Sequence, residues 1–145
     1  MAIDPHQRYR KVQAETASPG QLVLMLYGGA LRFLRSAEDA LVDGDIEKAH
    51  RGLTRAQDIV FELIASLDSG AGEVAENLLG LYVYLYRRLT DANIRKDVEP
   101  VREALTILTR LDRAWRQVLT GNSARAEGYG RIHGIEQGTF GAKSA

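Results

Sequence analysis

Glu47 and His50 have the spacing in this chain that comes closest to a metal site. Di-iron helical bundles use two Glu-x-x-His pairs and two further glutamates that point into the bundle. This chain has one such pair, and its other histidines, His6 and His133, lie near the two ends of the sequence. One pair supplies too few ligands for that site. We therefore predict no metal and no other cofactor, and we interpret Glu47 and His50 as surface residues.

Other residue groups that could do chemistry are also incomplete. Asp58 and Glu62 lie one helical turn apart, where they could chelate a cation or pair with a neighbour such as Arg55. The three histidines are too scattered to form a Ser–His–Asp grouping. The glycine-rich stretch at 128–130 has no strand or helix beside it, as a phosphate loop would require. The sequence therefore predicts that the protein is not an enzyme.

Composition restricts the classes of partner. The chain has 145 residues, with 19 basic and 19 acidic side chains and no cysteine, which excludes disulfides and thiolate metal sites. Arg8, Arg10 and Lys11 are too few to form a basic stripe, so we expect no nucleic-acid partner. The N-terminus lacks the apolar run of a signal peptide, and no stretch approaches the roughly 18 apolar residues of a membrane span. We expect a soluble cytoplasmic protein with no membrane insertion.

Four helical segments must position whatever residues are functional. They cover about 18–42, 46–67, 72–97 and 97–119, and each has apolar residues at spacings of three or four. Ser18 and Gln21 are spaced as a capping box, and Asp45 is the expected N-cap of the second segment. Before them lies an N-terminal arm (1–16) that contains Tyr9. After them, residues 121–145 form a glycine-rich tail without apolar periodicity, which we expect to be disordered unless a partner orders it.

The apolar seams of these segments predict the fold. Short connections make sequential helices antiparallel, so we predict an all-α domain over residues 1–120: an antiparallel, up-down four-helix bundle with an N-terminal cap segment. The residues expected on the seams are Val23, Leu26, Ala30, Phe33, Ala37 and Ala40; Ile46, Ala49, Leu53, Ala56, Val60, Leu63 and Leu67; Ala75, Leu78, Tyr82, Leu85, Leu89 and Ala92; and Val101, Leu105, Leu108, Leu111, Trp115 and Leu119.

Some apolar residues do not fit the seams. At about 100° per residue, Val83 and Tyr84 point away from the seam of their helix, whereas Leu79, Leu81 and Tyr86 widen it. Exposed apolar side chains on a bundle indicate a surface that another chain covers. The same reasoning places five further positions outside the seams: Leu24, Gly28, Leu31, Phe61 and Ile107. Gly28 and Gly29, two glycines in the middle of a helix, favour close approach of another backbone.

Many of these residues resemble the landmarks of one family. These landmarks are Ala17-Ser18-Pro19, Leu22 to Tyr27, Gly29-Ala30, Gly44-Asp45, Ala56 to Ile59, Glu62-Leu63, Ser66 to Asp68, Gly72 to Ala75, Asn77-Leu78, Leu81-Tyr82, Tyr84, Arg88-Leu89, Ala92-Asn93 and Trp115. On these residues the chain is similar to the FliS flagellar secretion chaperones from about residue 9 to residue 115, although Gly28 stands where that family usually has an acidic residue.

The resemblance implies a function as well as a fold. It implies a cytosolic chaperone that binds the disordered C-terminal segment of flagellin in apolar grooves and prevents premature polymerisation. It also implies delivery to the cytosolic domain of the flagellar export gate, and displacement of the N-terminal cap by the client. A helical adaptor or regulatory subunit with a different amphipathic client is the alternative, and a homodimer is left open. The expected flagellin-contact positions are Tyr9, Leu22, Leu24, Gly28, Leu31, Phe61, Val83 and Tyr84.

Overall fold

Four long α-helices make up most of the described structure. The computed structural model describes residues 18–68, 70–121, 133, 135–136 and 139–140. The arm, Tyr9 and most of the tail therefore lie outside the described residues. The helices are α1 (Pro19–Asp43), α2 (Ile46–Ser66), α3 (Glu73–Arg95) and α4 (Glu99–Thr120). Two short strands, β1 (Ile135–Glu136) and β2 (Thr139–Phe140), pair antiparallel.

Polar caps fix where the first two helices begin. Gln21 N donates to Ser18 Oγ at 3.3 Å while Ser18 N donates to Gln21 Oε1 at 3.1 Å, which confirms the predicted capping box. Lys48 N donates to Asp45 Oδ1 at 3.2 Å, so Asp45 is the N-cap of α2, as predicted. Between them, Gly44 adopts φ 75°, a left-handed conformation that glycine adopts without a Cβ clash. These contacts reverse the chain within two residues.

Contacts between helices confirm the antiparallel arrangement. Trp115 Nε1 donates to Gly20 O at 2.8 Å, and Arg102 Nε lies 3.1 Å from Glu38 Oε2. Residue numbers thus rise along α1 as they fall along α4. Each helix packs against two neighbours, α1 and α3 both lying between α2 and α4. This is the predicted up-down four-helix bundle.

The core follows the predicted seams closely. Fully buried leucines from all four helices lie in it, and burying each contributes about 1.5–3 kcal/mol relative to exposure. One seam position differs from the prediction. Ile46 is 60% exposed because it is the first residue of α2 and lies beyond the buried part of the bundle. The other seam residues are buried or packed against the core.

A pair of tyrosines crosses the core. Tyr27 Oη of α1 lies 2.6 Å from Tyr82 Oη of α3, and both side chains are buried. Burial raises the pKa of Tyr27 to about 12 and raises the pKa of Tyr82 still further. Both phenols are therefore neutral at physiological pH, and each satisfies the other in the core.

Helices α1 and α2 approach each other closely at Gly52. A Cβ placed there would lie 3.0 Å from Phe33 O and 3.2 Å from Ala37 Cβ, both on α1. The glycine therefore lets α2 approach the α1 backbone. Gly28 and Gly29, where close approach of another backbone was predicted, have no backbone of the described residues against them. A Cβ at Gly29 would meet the Ile59 side chain at 3.0 Å, and one at Gly28 would meet only Arg32.

Candidate functional site

An apolar strip runs along the outer junction of α2 and α3. Gln57 Nε2 of α2 donates to Tyr86 O at 3.1 Å and to Thr90 Oγ1 at 2.7 Å, which sets the register of the two helices. One turn further along α2 is Phe61, and one to two turns back along α3 are Val83 and Leu79. We call Phe61, Leu79, Val83 and Tyr86 the α2–α3 edge. Helical geometry places all four on the same outer junction.

Three large side chains of this edge are open to solvent. Phe61 is 62% exposed, Leu79 39% and Tyr86 38%, while Val83 is half-buried. The outward direction predicted for Phe61 is confirmed. The expectation that Leu79 and Tyr86 widen the core seam was wrong, because both are exposed on the flank of α3 that faces the junction with α2. In the sequence, Leu79 and Tyr86 lie 100° or less from the seam of their helix. This angle does not show whether a neighbouring helix covers that flank or leaves it open to solvent.

Tyr84 belongs to a different surface. It is 43% exposed, and its hydroxyl donates to the Glu103 carboxylate on α4. Arg88 Nε lies 3.5 Å from the same carboxylate. The hydrogen bond to Glu103 raises the pKa of the Tyr84 phenol, because it stabilises the protonated form. Val83 and Tyr84, neighbours in sequence, therefore lie on opposite flanks of α3.

The expected contact residues of α1 are mostly not on an open surface. Leu31 was expected to point away from the core, and this was wrong: it is 6% exposed and belongs to the core cluster, on the side that faces α4. Leu24 is partly buried and packs against the same core. Leu22 and Gly28 are half-buried. Helix α1 has neighbours on both flanks, so a residue 100° from its seam is still covered.

The candidate metal-binding residues lie on the exposed surface of α2. His50 is exposed, and its Nδ1 lies 2.9 Å from Asn93 Nδ2, at the junction with α3 rather than in the core. Glu47, Asp58 and Glu62 are also exposed. Among the residues described, no group of three or more His, Asp or Glu side chains could hold a metal ion. Likewise, none of the helices in the described ranges is long and apolar enough to span a membrane.

Comparison with known proteins identifies the family. The model of the family described as flagellar protein FliS matches residues 2–122. The flagellar secretion chaperone FliS of Bacillus subtilis is 36% identical over 133 residues, which cover 91% of this chain and 99% of that protein. The Salmonella typhimurium chaperone of the same name is 38% identical over 116 residues, 76% of this chain and 86% of the relative. The match spans all four helices of the bundle and its exposed apolar edge, so the chain belongs to the FliS family of flagellar secretion chaperones.

Proposed function

We propose that this protein is a cytosolic, non-enzymatic export chaperone whose client is the disordered C-terminal segment of flagellin. In this role it keeps flagellin from polymerising before secretion and delivers it to the cytosolic domain of the flagellar export gate. Membership of a family of flagellar secretion chaperones supports a client from the flagellum. The choice of flagellin follows the family resemblance already visible in the sequence.

The α2–α3 edge is the observation that supports this proposal most directly. It has three exposed large apolar side chains in a row on a helix junction, where an amphipathic helix can place its own apolar face. Covering a Phe or Leu side chain contributes about 1.5–3 kcal/mol. The edge is therefore our proposed main contact surface, with Phe61, Leu79, Val83 and Tyr86 as its anchors. Tyr84 and Leu22 are proposed as secondary contacts.

The α2–α3 edge is also suited to releasing the client. A segment that is disordered when free must become ordered on binding, which costs on the order of 2–5 kcal/mol of the interaction energy. A shallow, half-exposed edge gives a modest gain in burial, so the net affinity stays moderate. Such a complex can dissociate when the client is passed on for secretion.

Calorimetric titration with the flagellin of the same bacterium tests the proposal. We expect intact flagellin to bind, and flagellin without its C-terminal segment to show no measurable heat of binding, because the segment supplies the helix that covers the edge. Equal binding of both forms would contradict the proposed mode. If neither form binds while another amphipathic protein does, the adaptor alternative is correct instead.

A further inference from the structure

His133 is a polar residue buried at one end of the bundle. It follows α4 in sequence, and its side chain is 2% exposed. The imidazole lies between the C-terminus of α2, the middle of α3 and the C-terminal turns of α4. Its ring is edge-on to Trp115, with centroids 5.5 Å apart, and tilted against Tyr82 at 5.9 Å. Strand β1, two residues further on, lies against α1. This short stretch therefore contacts all four helices.

The hydrogen bonds around His133 fix its protonation. Ser66 Oγ donates its proton to Leu63 O at 2.9 Å, so His133 Nδ1, 2.9 Å from the same oxygen, must carry the hydrogen and donate it. His133 Nε2 is then the acceptor from Tyr82 Oη at 3.1 Å. Tyr82 in turn accepts from Tyr27. One continuous buried chain of hydrogen bonds thus leads from α1 to the imidazole.

Most polar groups around His133 keep a hydrogen-bond partner without it. If the imidazole leaves, Tyr82 keeps its bond to Tyr27, and Ser66 keeps its bond to the Leu63 carbonyl. The Trp115 indole keeps its bond to Gly20 O. One donor is left unpaired, the hydrogen of the Tyr82 hydroxyl, whose acceptor is His133 Nε2. Departure therefore costs about one buried hydrogen bond.

We propose that His133, together with strand β1, is an intramolecular ligand of the bundle, with His133 as a removable pin in a pocket formed by Ser66, Tyr82 and Trp115. The pin closes the end of the bundle where α1 and α3 begin and α2 and α4 end. Its release opens that end locally while the four helices remain folded.

Hydrogen exchange of the full-length His133→Ala variant tests this proposal. We expect amide protection in residues 18–27 and 112–120 to fall about tenfold, since the variant loses two hydrogen bonds and a ring contact at that end. Residues 38–52 and 92–102, at the opposite end, serve as an internal reference and should be unchanged. His50→Ala, the same substitution at an exposed histidine, is the matched control. His133→Gln, which keeps polar groups but not the ring, should give an intermediate loss.

Two outcomes would overturn the proposal. Unchanged protection at residues 18–27 and 112–120 would mean that His133 does not occupy the pocket in solution. An equal loss of protection at both ends would mean that His133 supports the whole bundle and is not removable. Trp115 is the only tryptophan of the chain, so quenching of its fluorescence by acrylamide provides an independent measure of the same opening.

Acid should also release the pin. Burial lowers the pKa of His133 from 6.5 to about 4. The pinned form thus binds fewer protons than the released form, so pinning is strongest above pH 6.5 and weakens as the pH falls toward 4. Between pH 7 and pH 5 the equilibrium should shift toward release by about 20-fold. The other groups around the imidazole do not titrate between pH 7 and pH 5. Ser66 and Trp115 do not ionise, and Tyr27 and Tyr82 stay neutral. The Asp112 charge raises the pKa of Tyr27 and so favours its neutral form.

Exchange of residues 112–120 at pH 7 and pH 5, corrected for intrinsic rates, measures this shift. His133→Ala is the control, because it has no imidazole to titrate and should lose the pH dependence. The same pH dependence in wild type and His133→Ala would show that another group is responsible and would contradict the assignment of the pin.

Discussion

Phe61→Asp is expected to weaken binding of a peptide from the C-terminal segment of flagellin by roughly 30- to 100-fold. Phe61 is the most exposed residue of the α2–α3 edge, and a carboxylate there would have to lose its hydration beneath the client helix. A loss of about 2–3 kcal/mol is typical when a central aromatic anchor is removed, and every 1.4 kcal/mol is a factor of ten in affinity. Calorimetric titration of the peptide against wild type and variant measures the change.

Two matched variants make this experiment decisive. Ile46→Asp puts the same charge on a residue of the same helix that is almost as exposed, but at the far end of the bundle, so its affinity should match wild type. Tyr84→Ala tests the other flank of α3 and should cost less than Phe61→Asp. If Tyr84→Ala abolishes binding and Phe61→Asp does not, the client lies on the α3–α4 side and our choice of edge is wrong.

Gly52→Leu is expected to destabilise the fold by about 3 kcal/mol. Even a methyl group at this position would lie 3.0 Å from the Phe33 carbonyl oxygen, which belongs to the backbone and cannot rotate away. A larger side chain must therefore push α1 and α2 apart and open the core between them. For a chain of this size the midpoint of thermal unfolding should fall by roughly 6–12 °C. Circular dichroism at 222 nm follows this transition.

Gly80→Ala is the control for Gly52→Leu. Gly80 also lies inside a helix, but a Cβ there has no atom within 4 Å. Alanine should therefore stabilise the protein by up to about 1 kcal/mol through helix propensity alone. If both glycine variants shift the midpoint in the same direction, the crossing of α1 and α2 is not as close as described, and the role of Gly52 is wrong.

Periodicity predicts the fold of this chain because each seam is long and uninterrupted. Apolar residues at spacings of three or four, over 18 to 22 positions in each segment, give each helix and its buried face, and Ser18 and Asp45 give two of the starting points. All of this is local information. Local information is sufficient to predict an up-down bundle, because helices joined by short connections run antiparallel.

The residues beside the seams were predicted less well, for a physical reason. Leu31 and Tyr86 both lie roughly 100° or less from the buried face of their helices, yet one is in the core and the other is exposed. The difference is how deeply the neighbouring helix covers that flank, which the sequence of one helix does not contain. His133 is a stronger case. Its partners are at positions 66, 82 and 115, and no periodic pattern connects them.

The opposite directions of Val83 and Tyr84 limit the shape of any chain that uses both flanks of α3. A straight helical ligand can follow one junction of the bundle, and it cannot reach the other without crossing the outside of a helix about 10 Å across. The path around half the circumference of such a helix is about 16 Å, so at about 3.3 Å per residue the crossing takes roughly five extended residues. A client that touched both flanks would thus need two helical pieces joined by a non-helical bridge, and the length of that bridge would be as strictly selected as the apolar residues on either side of it.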